Sequence, residues 1–87
     1  MEKGQLYGNN VRARIKISAL ELLTQVMFEP RGMNVDLQPK GVVYLNAPLS
    51  DVAELEFEIW DGGVNVVLPM VGDQFVLDSE GNLITPL

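Results

Sequence analysis

The sequence predicts an α+β fold. One helix, at about residues 18–28, packs on a mainly antiparallel sheet of five to seven short strands that can curl toward a partial barrel. Three observations carry this expectation. Residues 11–17 and 53–60 alternate apolar with polar or charged side chains, the period of a half-buried strand. Ser18-Ala19-Leu20-Glu21 has the spacing of a helix-capping box and opens a Leu-rich stretch. Turn signals recur at short intervals, at 38–41, 61–63 and 79–82.

Taken in order, residues 1–10 read as an arm ahead of a single domain, 11–87. Gly4, Gly8, Asn9 and Asn10 discourage regular structure there, while Leu6 and Tyr7 can anchor it. In 11–17, Val11, Ala13, Ile15 and Ile17 share one face and Arg12, Arg14 and Lys16 the other. The helix follows, with Leu20, Leu23 and Met27 in line and Leu22 and Val26 widening the stripe, until Pro30 and Gly32 stop it. Met33, Val35 and Leu37 alternate in a second strand. Gln38-Pro39-Lys40-Gly41 turns into a third, Val42–Leu45, and 46–51 is a loop. Residues 51–57 fit either a short helix, with Asp51 and Glu54 as a capping pair, or the start of a strand; the alternation of Ala53, Leu55, Phe57 and Ile59 favours a strand from Ala53 to Trp60. Asp61-Gly62-Gly63 closes a hairpin with Val64–Leu68, and 74–78 with 83–85 make a last one.

The two alternating strands suggest a pairing. Arg12, Arg14 and Lys16 on one, and Glu54, Glu56 and Glu58 on the other, suit neighbouring strands with their charges on one wet face. Each pair would add about 0.2–1 kcal/mol and guard the register.

Composition bounds the rest. A chain of 87 residues forms one domain and buries roughly 60–65% of its unfolded surface. Its 47% hydrophobic content is high for that size, so either the core is dense or apolar surface is reserved for a partner or a second copy. All six bases lie in residues 1–40 beside four acids, a balance of +2. Residues 41–87 hold eight acids and no base, a balance of −8. The acidic remainder repels nucleic acid and anionic membrane. No stretch approaches ~18 apolar residues, and no apolar signal-peptide core follows Met1–Gln5. With no cysteine either, the expected location is cytoplasmic, in a host cell interior.

Without His or Cys, the chain has no Ser-His-Asp or Cys-His arrangement and no ordinary zinc ligand set. Phosphate-binding glycine motifs are missing as well. Asp78-Ser79-Glu80-Gly81-Asn82 has the glycine too early for a calcium loop and reads as a turn. Glu54, Glu56 and Glu58 could be imagined as a glycosidase pair, but so small a chain supplies no cleft easily and a solvated strand face explains them. The chain is therefore expected to be no enzyme, with neither cofactor nor metal. The candidate partner contacts are Trp60, Glu54, Glu56, Glu58, Asp61 and Tyr7, with Trp60 alternatively folded over the adjacent turn. Arg12, Arg14 and Arg31 are candidate anion contacts.

The run Val11-Arg12-Ala13-Arg14-Ile15-Lys16-Ile17, then Leu20, Leu22 and Leu23, then Pro30-Arg31-Gly32 and Val35, then Leu55-Glu56-Phe57-Glu58-Ile59, resembles a type of small bacteriophage protein. Those open with an R-x-R-I-x-I strand, a Leu-rich helix, a Pro-x-Gly turn and two further strands. The resemblance covers about half the chain and leaves Met70–Leu87 aside. It implies phage or prophage origin and no transferable catalytic residue.

The expected function is thus a small acidic, phage-encoded binding protein that acts on a host protein or a small ligand, as an inhibitor or anti-defence factor. It is expected to touch neither nucleic acid directly nor membrane, and a homodimer fits the apolar content. A virion or decoration component assembling through its arm and sheet edges, a DNA-mimic inhibitor, and a ligand-sequestering oligomer are the alternatives.

Overall fold

A computed structural model describes residues 11–69 and 73–87. The expected arm 1–10, with Tyr7, lies outside the described residues. Eight strands and one short helix follow in order: β1 (Arg12–Ser18), β2 (Thr24–Glu29), β3 (Met33–Leu37), β4 (Val42–Pro48), α1 (Leu49–Val52), β5 (Glu56–Trp60), β6 (Gly63–Val67), β7 (Phe75–Leu77) and β8 (Leu83–Pro86). They form two four-stranded sheets. The first has the order β1-β4-β7-β8 and is antiparallel throughout; the second is β3-β2-β6-β5, with β2 and β6 parallel. The chain is mostly sheet, and the sheets do not close into a barrel.

The inner faces share one core. Val43, Leu45, Ala47 and Val76 come from the first sheet and Val26, Phe28 and Val66 from the second, all fully buried. Register explains the layering. Ile15 stands opposite Leu45 and Ile17 opposite Val43, while Val26 stands beside Val64 and Phe28 beside Val66. In each strand alternate residues therefore reach the same core.

The expected helix over 18–28 is not present. Ser18 ends β1, residues 19–23 connect the sheets, and Thr24–Glu29 is an inner strand. The residues 24–29 also alternate, with Val26 and Phe28 inward and Gln25 and Met27 outward. A place between β3 and β6 buries both apolar side chains completely. A helix this short gains too little from its own hydrogen bonds to compete with that burial. The supposed capping pair is not made: Glu21 meets Lys40 at 3.1 Å instead. Lys40 N donates to Leu20 O and Ala19 N to Gly41 O, both at 2.9 Å, which ties the connection to the 38–41 turn.

The proposed neighbourhood of the basic and acidic strands is also not present within the chain. β1 pairs with β4 and β5 with β6, in different sheets. The supposed loop 46–51 divides between the end of β4 and α1, and the acidic strand begins at Glu56, after a turn at Ala53 and Glu54. β1 takes the distant β4 as its neighbour, and the Asp61–Gly63 turn gives β5 its neighbour β6, so the two strands end as edges of different sheets.

The parallel contact of β2 with β6 needs Gly63. A Cβ there would lie 2.0 Å from Gln25 O and 2.8 Å from the Trp60 ring. Gly63→Ala should therefore cost about 2 kcal/mol or more, and Phe28→Ala about 3–5 kcal/mol, in urea unfolding. A Gly63→Ala midpoint equal to that of the natural chain would show that the approach of the strands is loose.

Candidate functional site

One edge of the second sheet is left uncovered on its inner face. β5 is its edge strand, and all five of its residues are exposed. Phe57 and Ile59 project from the inner face, because they stand opposite Val66 and Val64. Yet Ile59 is 82% exposed and Phe57 50%. β1, the edge of the first sheet, borders the same side. Between the two edges lies an open groove of about 640 Å³, lined by Ile15 and Ile17 of β1, Leu20 of the connection, and Phe57, Ile59 and Val64 of the second sheet. Leu20 is 76% exposed, and Leu22, 74% exposed, lines an adjoining hollow along the same connection. So much aliphatic surface at one mouth is what a site for another apolar surface has.

The charged candidates divide. Glu56 and Glu58 share the outer face of β5, and Asn65 Nδ2 donates to Glu58 Oε1 at 3.3 Å. Glu54 is outside the row, its N–H bonded to Asp51 O at 3.0 Å in the turn. Asp61 sits in the β5–β6 loop at one end of the groove. Trp60 lies over Gly62 and Gly63, the alternative placement that the sequence allowed, and is 40% exposed.

The bases do not form one anion site. Arg12 is engaged by its own sheet: Nε donates to Asn46 Oδ1, Nη2 to Asp73 O at 2.6 Å, and Nη1 pairs with Asp73 Oδ2 at 3.1 Å. Its guanidinium also lies 5.0 Å from the Phe75 ring centre. Arg14 stacks over Tyr44 at 4.7 Å. Arg31 is exposed in the β2–β3 turn, in the other sheet.

Among the described residues no group of three acids is placed to hold a metal ion. The 78–82 turn uses its acid on its own backbone. The N–H groups of Asn82 and Glu80 each donate to Asp78 Oδ1 at 2.9 Å. The bond from Asn82 chiefly holds the Asp78 carboxyl below its ordinary 3.8, opposed by partial desolvation and helped by the bond from Glu80. Gly81, at φ +86°, takes the left-handed position of this turn. No described helix is long and apolar enough to cross a membrane.

Sequence reasoning placed Phe57 and Ile59 in the core and Leu20, Leu22 and Leu23 on the buried face of a helix, and so missed the groove. The signal available was the excess of apolar residues over what so small a core holds. No protein-family model, no curated protein and no solved structure matches the chain.

The Asp78 bonds have a pH consequence. The folded carboxyl is the stronger acid, so its contribution to stability is complete above the unfolded value and is lost as pH falls through the folded one. NMR titration should give Asp78 a midpoint below 3.8. A midpoint at or above that value would mean that the turn does not hold the carboxylate.

Proposed function

We propose that the protein is a small non-catalytic module that works by binding another polypeptide along the open β1/β5 mouth. The observation that carries this reading is an edge strand whose core-facing side chains, Phe57 and Ile59, stand in water. Burying Ile59 would gain about 1.5–3 kcal/mol, and the half-buried Phe57 about half as much. An edge strand also offers unpaired backbone N–H and C=O groups, which an added strand satisfies and a small apolar ligand does not. Glu56, Glu58, Asp61 and Trp60 then rim the contact.

Phage origin and action on a host protein belong to the same proposal; of the resemblance that suggests them, the R-x-R-I-x-I strand, the Pro-x-Gly turn and the 55–59 strand motif remain, while the Leu-rich helix does not. The assembly reading, in which sheet edges join copies into a larger structure, draws on the same open strand. A DNA mimic has less support, because Glu54 stands apart from Glu56 and Glu58 and the apolar groove has no role in it.

Native mass spectrometry of the protein purified from its own cell should show it carrying a polypeptide, either another copy or a different chain. Phe57→Ser with Ile59→Lys should release that polypeptide and leave the fold intact, since both side chains are exposed. A natural chain that stays single and bare, or one that holds only a small molecule in the groove, overturns the reading.

A further inference from the structure

We propose that the mouth is closed by a second copy of this chain, with β1 of each copy adding in parallel to β5 of the other about a two-fold axis. This rests on the reading of the mouth as a polypeptide-binding surface and names its occupant. Charge and hydrogen-bond parity both point to it.

Charge comes first. Arg14 and Lys16 stand on the outer face of one edge strand, Glu56 and Glu58 on the outer face of the other. None of the four makes an ion pair with another described residue. Pairing β1 with β1, or β5 with β5, would set like charges side by side. Pairing β1 with β5 sets opposite charges side by side.

Parity decides the orientation. Leu49 N donates to Val11 O, and Ala19 N to Gly41 O, each at 2.9 Å. In the Arg12–Pro48 register this turns the odd-numbered residues of β1 toward β4 and leaves Arg14 and Lys16 with N–H and C=O directed at the open edge. Pro48, with no N–H, falls where none is needed. In the second sheet, Gln25 N donates to Gly62 O at 2.8 Å, which directs the backbone of Gly63 at β5 and Trp60. Glu56, Glu58 and Trp60 are then bonded to β6, and Phe57 and Ile59 face the open edge.

In an antiparallel ladder the edge-facing residues stand opposite one another and share a face. That would set Arg14 and Lys16 among Phe57 and Ile59. In a parallel ladder an edge-facing residue stands opposite one that faces away. Arg14 then falls beside Glu56 and Lys16 beside Glu58 on the wet face, and Ile15 and Ile17 meet Phe57 and Ile59 on the dry one. Only the parallel ladder satisfies both faces.

The arrangement sets one requirement on chain direction. The short connection over residues 19–23 has to reverse the chain as it passes from the first sheet to the second. β6 runs with β2 and β5 runs against β6, so with that reversal β5 runs the same way as β1. A two-fold axis along the strands exchanges the two layers and keeps strand direction, so β1 meets β5 of the second copy in parallel at both junctions. Two continuous eight-stranded sheets result, and the two grooves become one shared core.

Sedimentation and light scattering of the full chain should give twice 9.6 kDa. Glu56→Lys with Glu58→Lys, and separately Arg14→Glu with Lys16→Glu, should each weaken self-association roughly 100-fold or more. Mixing the two reversed variants should restore a dimer, because both junctions again join unlike charges. In the natural dimer the amides of Arg14, Lys16 and Ile59 should exchange slowly and become fast on dilution, a readout that needs no variant. A monomeric natural chain, a dimer indifferent to both reversals, or a mixture that stays monomeric overturns the proposal. If the natural chain is monomeric yet binds a different polypeptide that Ile59→Lys releases, the pairing of copies fails and the function proposed above stands; if it binds nothing, both fail.

Discussion

The parallel ladder between β2 and β6 is the contact on which the second sheet depends. Its two hairpins, β2–β3 and β5–β6, are each local in sequence and marginal alone. The ladder joins them by setting Val26 and Phe28 beside Val64 and Val66, and it makes β2 an inner strand rather than an edge. The approach is close enough that only glycine fits at residue 63. Once β2 is an inner strand, residues 19–23 are too short to do more than cross between sheets. Their leucines remain at the surface, and β5 is carried outward to the edge. The exposed mouth follows from a burial elsewhere.

The first sheet is held differently. β1, β4 and β7 meet through Arg12, whose guanidinium bonds to Asn46 and Asp73 and stacks near Phe75, while Gln74 Nε2 donates to Asp51 Oδ2 at 2.8 Å and ties the start of β7 to α1. An Arg with several partners and partial burial is ordered in a way that a lone surface pair is not. This explains why three bases at alternate positions do not act alike. Arg12 belongs to the sheet, Arg14 leans on an aromatic ring, and Lys16 stands in solvent.

Much of the fold is legible where period and turn chemistry agree. β1, β3 and the β5–β6 hairpin, with its Asp-Gly-Gly, follow from alternation and local turns alone. Residues 18–28 are not legible, because Leu20, Leu22, Leu23, Val26 and Phe28 fit a helical stripe as well as they fit a connection followed by a strand. What separates the two is the vacancy between β3 and β6, a tertiary fact that no window of the sequence contains. The site was half legible for the same reason. Glu56, Glu58 and Trp60 could be named from their alternation. The exposure of Phe57 and Ile59 could not, since an apolar face of a strand reads as core whether or not a second layer reaches it.

The treatment of the four sheet edges differs in kind. β3 carries Asn34 and Asp36 on its outer face, and β8 is short and contains Pro86, which cannot donate to an added strand. Both are blunted. β1 and β5 are guarded only by charge, one strand cationic and the other anionic, with aliphatic side chains behind each. A guard of one sign repels a strand of the same sign and attracts one of the other. Two such edges bordering a single groove and carrying complementary signs discourage random edge-to-edge association without blocking every partner. They leave open the match between β1 and β5, which the topology of a single chain keeps apart in separate sheets.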